Sequence, residues 1–191
     1  QSWWIVFAFV AAAAFVVALI RPARLAGLVD HPAGRKKHAA PTVLVGGVAI
    51  FLSVLLTTYL AGLLEDQSTS LLIAMLIVVG IGLADDAHEI GYRSKFFAQL
   101  IAGLLIVSGT SVHVMHLGDI FGFGDFPLDK WSYLITVIAI IGLMNAINMI
   151  DGLDGLAGTQ VLVSLVFFAL VALSAGDARL ALELLILCGA I

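Results

Sequence analysis

The sequence predicts an all-α fold, a polytopic integral membrane helical bundle with about seven transmembrane segments. Three observations predict it. Hydrophobic residues make up 62% of the chain and charged residues only 12%, with a mean hydropathy of +1.14; soluble domains carry about 25% charged residues. The apolar residues fall into runs close to the roughly 20 residues that a helix needs to cross the hydrocarbon core. Lysine and arginine concentrate in alternate gaps between those runs. A soluble core of this size could not hide so much apolar surface, so the bilayer is the solvent.

The first run, Trp3 to Ile20, has no basic stretch before it and no small-residue cleavage site after it. It therefore reads as a spanning helix and not as a signal peptide. Val43 to Leu64 is the second span, and Leu71 to Ala84 is a short third that borrows polar residues at its ends. Phe96 to Leu117 is the fourth, Trp131 to Ile150 the fifth and Leu156 to Ala175 the sixth. A seventh begins near Leu180 and is still apolar at Ile191, so the chain is expected to be the N-terminal portion of a single transmembrane domain, residues 1–191, whose C-terminal part lies beyond it. The stretch Gly118 to Lys130 has turn residues and alternating aromatics, as a short hairpin would. Cys188 stands alone in an apolar run and reads as an inert thiol.

Basic residues set the orientation. Arg21, Arg24, Arg35, Lys36 and Lys37 follow the first span, and Arg93 and Lys95 follow the third; only Lys130 and Arg179 fall on the opposite side. The expected topology places the N-terminus outside and the loops Arg21–Thr42, Asp85–Lys95 and Asp151–Gly155 in the cytoplasm.

Three polar clusters share that cytoplasmic edge. In Asp30-His31-Pro32-Ala33-Gly34-Arg35-Lys36-Lys37-His38, arginine and lysine suit phosphate oxygens; the same residues also suit an anchor to anionic lipid heads. Asp85-Asp86 closes the third helix. Adjacent carboxylates repel unless a cation lies beside them, and at a helix C-terminus they oppose the macrodipole. Mg²⁺ suits such a pair, because one or two carboxylates plus substrate phosphates commonly hold it. The third cluster, NAINMIDGLDGLAGT over Asn145 to Thr159, repeats Asn145, Asn148, Asp151 and Asp154 every three residues. On a continuous helix each such step falls about 60° short of a turn, which would scatter the four. Gly152, Gly155 and Gly158 predict a break that lets them converge, with Asp151 or Asp154 as a helix cap the alternative. Ionisable groups at a membrane edge are functional candidates by default. His113 and His116, three apart near the outer face, lack a visible third ligand and read as surface histidines.

DHPAGRKKHAAPTVLVGG (Asp30 to Gly47), GLADD (Gly82 to Asp86) and NAINMIDGLDGLAGT together resemble the polyprenyl-phosphate N-acetylhexosamine-1-phosphate transferases, in that family's order and spacing. The first stretch is similar to the branch acting with N-acetylglucosamine-1-phosphate and undecaprenyl phosphate. Ala39-Ala40-Pro41-Thr42-Val43-Leu44-Val45 departs from the lysine-glycine-threonine-proline-threonine-methionine run of the phospho-MurNAc-pentapeptide branch, which stays as the alternative.

The resemblance implies a multi-pass enzyme of the cell inner membrane with a cytoplasmic active site, serving cell-envelope polysaccharide synthesis. It implies a UDP-N-acetylhexosamine donor, a polyprenyl phosphate acceptor, UMP as leaving group and Mg²⁺, or Mn²⁺, as cofactor, with no nucleic-acid partner. Carried onto this chain, Asp85 and Asp86 belong to the metal–phosphate site. Asn148 and Asp151 go to the metal or nucleotide, supported by Asn145 and Asp154. Asp85, Asp86, Asp151 and Asp154 form the catalytic set, and Asp86, Asn148 and Asp151 the metal set. Arg35, Lys36 and His38 contact phosphate. A further Mg²⁺ aspartate and a sugar-selecting loop of the family are expected beyond Ile191.

Two other readings compete. A transporter using intramembrane carboxylates would explain the polar stripe but not the gathering of all three clusters on one face. A CDP-alcohol phosphotransferase wants Ala-Arg soon after Asp-Gly, whereas Asp154-Gly155 is followed by Leu156-Ala157-Gly158-Thr159.

Overall fold

The computed structural model describes residues 3–30, 42–64, 68–88, 90–110, 112–120, 122, 124–150 and 155–191. Among them are seven α-helices: α1 (Trp3–Leu25), α2 (Gly46–Leu60), α3 (Ser68–His88), α4 (Tyr92–Thr110), α5 (Ser132–Ile150), α6 (Leu156–Ser174) and α7 (Ala178–Ala190). A two-residue antiparallel pair, β1 (Val29–Asp30) and β2 (Thr42–Val43), sets Val29 opposite Val43 between α1 and α2. Arg35, Lys36, His38, Asp151 and Asp154, named above as site residues, lie outside the described residues.

Four helices are long and apolar enough to cross a membrane: Trp3–Leu25, Thr69–His88, Asp129–Ile150 and Leu156–Ser174. Only 6% to 17% of each spanning window is buried inside the protein, so nearly all that apolar surface faces outward. This is the expected all-α multi-pass membrane architecture. Backbone groups facing lipid must find partners within their own segment, which a helix provides.

The chain forms two compact units. The first holds α1, β1, β2, α2, the last turns of α3, α6 and α7. Its core joins Ala8 of α1, Val54 of α2 and Ile186 and Ala190 of α7, with Trp4, Ile50 and Leu182 packed against them. Lipid tails are as apolar as leucine, so helices here associate through close packing and interhelical hydrogen bonds. Both occur. The Ser53 hydroxyl, fully buried, donates to the Ala8 carbonyl at 2.6 Å. Gly189 lies so close to Ile5 that a Cβ would strike the Ile5 carbonyl. Arg179 at the head of α7 donates to Glu183 at 3.1 Å and to the Leu63 carbonyl just past α2 at 2.6 Å. Helices α1, α2 and α6 end alike, at Gly27, Gly62 and Gly176 with φ of +76°, +69° and +82°. In each, the next N–H reaches back to the last helical turn, as in Leu63 to the Thr58 carbonyl at 3.0 Å and Asp177 to the Ala172 carbonyl at 2.9 Å. The Asp177 side chain then caps α7 by accepting from the Leu180 N–H at 2.9 Å.

The second unit holds the first part of α3, α4, α5 and the segment between those last two. Gly103 of α4 meets Val137 of α5, and Gly109 of α4 sits against Ser70 of α3. The fourth helix differs from expectation: it runs Tyr92–Thr110 and not Phe96–Leu117. Past Thr110 the chain finds other partners. The Thr110 hydroxyl accepts from the Val112 N–H at 3.3 Å, and the Val114 N–H donates to the buried Thr136 hydroxyl of α5 at 2.9 Å. The Ser132 hydroxyl donates to the Val114 carbonyl. The Leu117 N–H pairs with the Phe126 carbonyl at 3.0 Å and the Leu128 N–H with the Met115 carbonyl at 2.8 Å. The expected hairpin therefore exists and begins earlier, with His116 opposite Pro127.

The close approach at Gly189 is testable. Gly189→Ala should lower stability by about 1–3 kcal/mol, because the added methyl meets backbone that cannot step aside. Gly142→Ala on α5, where a Cβ meets nothing within 4 Å, should be neutral or stabilising by up to about 1 kcal/mol. Thermal unfolding of the two variants in one detergent would show the contrast.

Candidate functional site

The acidic turn comes from α3. That helix runs on to His88, so Asp85 and Asp86 occupy its last turn, with Asp85 half-buried and Asp86 exposed. Neighbours on a helix diverge by about 100°, so the two carboxylates fan out from one turn. The carbonyl end of the helix disfavours both charges. Beside this turn, Leu83 forms part of an apolar hollow of about 190 Å³ with Leu19, Pro22, Leu28, Leu44 and Val48. Its lining is wholly apolar, so its chemistry is limited to shape and exclusion of water.

The asparagines come from α5. Asn145 and Asn148 both lie exposed in its last two turns, and the helix stops at Ile150. The predicted break is present: α6 starts at Leu156, and Gly155 occupies its N-cap with φ +76°. Gly155 supplies no side chain to cap the first turn of α6, where the positive end of the helix dipole lies.

The Asn145 amide has a defined surrounding. Its Nδ2 donates to the Ile141 carbonyl at 2.8 Å and to Oε1 of Gln99 on α4 at 2.9 Å. Gln99 went unnoticed in the sequence. The available signal was its place four residues after Lys95, a second polar group on one stripe of an apolar helix.

The structure joins Asn145 to α4, and it places the acidic turn and the start of α6 in one compact unit. His113 and His116 stand on the hairpin and not on a helix. The His113 ring stacks on Tyr133 with centroids 4.5 Å apart, and Nδ1 of His116 lies 2.5 Å from Oδ2 of Asp125. Among the described residues no group of three or more His, Cys, Asp or Glu converges on one point.

Carboxylates in the last turn of one apolar helix and amides in the last turns of another suit a membrane-embedded enzyme. The family model for glycosyl transferase family 4 matches residues 68–191, and the chain belongs to that family of enzymes. The chain is similar to undecaprenyl-phosphate alpha-N-acetylglucosaminyl 1-phosphate transferase of Yersinia pestis, at 29% identity over 139 residues, 73% of this chain and 38% of that protein. The protein of the same name from Escherichia coli (strain K12) is 27% identical over 61% of this chain and 32% of its own. A Bacillus subtilis (strain 168) protein named probable undecaprenyl-phosphate N-acetylglucosaminyl 1-phosphate transferase is 33% identical over 59% of this chain and 31% of its own. The chain thus spans about a third of the length of the curated relatives it matches.

Proposed function

We propose that the protein to which this chain belongs transfers N-acetylglucosamine-1-phosphate from UDP-N-acetylglucosamine to undecaprenyl phosphate. Membership of glycosyl transferase family 4 carries this reading, and the shared name of the relatives supports the sugar and the lipid. In the reaction, an oxygen of the lipid phosphate attacks the β-phosphorus of the nucleotide sugar. A new P–O bond forms, the bond from the β-phosphorus to the bridging oxygen breaks, and UMP leaves with that electron pair. The second pKa of a phosphate monoester is about 6, so the attacking oxygen needs little help from a base. Catalysis is then mainly positioning and charge neutralisation.

The donor set suits a hard cation. Asp85 and Asp86 offer adjacent carboxylates at a disfavoured helix end, and Asn145 and Asn148 offer amide oxygens. Mg²⁺ takes oxygen ligands and completes its shell with waters and substrate phosphates, so the chemistry fits, with Mn²⁺ as a substitute. When bound, Mg²⁺ neutralises pyrophosphate charge and stabilises the leaving UMP. Asp86, Asn148 and Asp151 would hold it, with Asp85 and Asp154 beside them. The free N–H groups at the start of α6, with Arg35, Lys36 and His38, would take phosphate oxygens. The site faces the cytoplasm of the inner membrane, with the N-terminus outside; the placement of the basic residues supports this.

In the full-length protein, Asp86→Asn and Asp151→Asn should each abolish Mg²⁺-dependent incorporation of radiolabelled UDP-N-acetylglucosamine into lipid while expression persists. Wild-type turnover in both variants would remove the assignment, and sugar flux into proteoliposomes without lipid labelling would favour a transporter. The topology has its own test. In a background freed of all cysteines, Cys188 included, Ile120→Cys should react with an impermeant maleimide on intact spheroplasts, and Ser94→Cys only after permeabilisation. The reverse pattern would invert the orientation.

A further inference from the structure

Gln99 lies about two turns into α4, half-buried, and shares its helix face with Lys95, Phe96, Ala102 and Gly103. A half-buried amide is costly without a partner. Its partner is Asn145, whose Nδ2 donates to Gln99 Oε1 at 2.9 Å. The same Nδ2 donates to the Ile141 carbonyl at 2.8 Å.

These two contacts decide which way the Asn145 amide faces. A backbone carbonyl only accepts, so the NH₂ end must face Ile141. That leaves one N–H, and Gln99 meets it with its carbonyl end. Both donors of Asn145 are then committed. The group left to offer is the carbonyl oxygen, an acceptor only. An amide fixed in this way has no N–H for a phosphate oxygen, but its oxygen suits a hard cation or a hydroxyl or N–H of the nucleotide sugar.

We propose that Gln99 is a positioning residue: by accepting from Asn145 it holds that amide with Oδ1 presented to the substrate-bearing site. The inference rests on the transferase reading above and narrows the part Asn145 plays in it. Without Gln99 the second N–H loses its partner on α4, and only the Ile141 carbonyl holds the amide. The bond is also a link between helices α4 and α5. A purely structural role would be confined to stability, whereas positioning also appears in kinetics and ligand binding.

The test uses the full-length protein in detergent with UDP-N-acetylglucosamine, Mg²⁺ and polyprenyl phosphate. Gln99→Leu should lower kcat/KM by about 10- to 100-fold, the usual effect of removing a group that orients a binding residue. Gln99→Glu, which keeps an acceptor, should recover most of that loss. Gln99→Leu combined with Asn145→Ala should be no worse than Asn145→Ala alone. The rise in Tm given by Mg²⁺ plus UDP-N-acetylglucosamine should shrink in Gln99→Leu and return in Gln99→Glu. A raised Mg²⁺ requirement would assign Oδ1 to the cation, and a raised KM for the nucleotide sugar would assign it to the sugar nucleotide; an unchanged pair of constants would overturn the proposal. Wild-type kinetics in Gln99→Leu alongside an impaired Asn145→Ala would overturn it too, as would losses that multiply in the double variant or a folded Gln99→Glu as weak as Gln99→Leu. If Gln99→Leu does not fold, the unbranched Gln99→Met takes its place. Full activity in both Asp86→Asn and Asn145→Ala would instead refute the transferase site itself.

Discussion

Everything in this protein follows from the absence of water around its backbone. Where apolar side chains face outward along a span, each N–H and C=O must be paired within the chain itself. That requirement makes the spans helical and confines exceptions to their ends. Chemistry is confined with them. Asp85 and Asp86 stand in the last turn of α3, Asn145 and Asn148 in the last turns of α5, and Gly155 opens α6. Helix ends are where unpaired backbone groups and net dipoles remain, which is why the polar side chains of the spans collect there.

The same constraint shapes packing. With no hydrophobic gain from one helix meeting another in lipid, contact has to be close. Alanine and glycine lie where helices touch: Ala8, Ala49 and Ala181 are almost wholly buried, and Gly189 abuts Ile5. Side-chain hydroxyls act as local fasteners. Ser53 ties α2 to α1, and Ser132 and Thr136 hold the hairpin against α5.

Much of this was legible in the sequence because lipid imposes a coarse rule. The apolar runs marked the helices, while the glycines at 27, 62 and 176 that end three of them went unread. The break after Ile150 was readable from Gly152, Gly155 and Gly158, and the acidic turn from the bare pair Asp85-Asp86. The end of α4 was not readable. Val112 to Leu117 (VHVMHL) is short and mixed, a pattern that suits helix and strand alike, and Val114 finds its partner in Thr136, 22 residues away. Gln99 was hidden for a related reason. One glutamine in an apolar helix has no motif, and its meaning lies in a bond to a residue 46 positions away. Both misses depend on long-range pairing, which local pattern cannot express.

Helix α2 has a consequence for the membrane itself. Its 15 residues rise only about 22 Å, against a hydrocarbon core of about 30 Å. The Arg179 guanidinium sits at its far end on the Leu63 carbonyl, a charged group that must keep contact with water. A helix this short meets the headgroups through polar side chains that reach outward from its ends or through a locally thinner bilayer, and Arg179 is placed for the first.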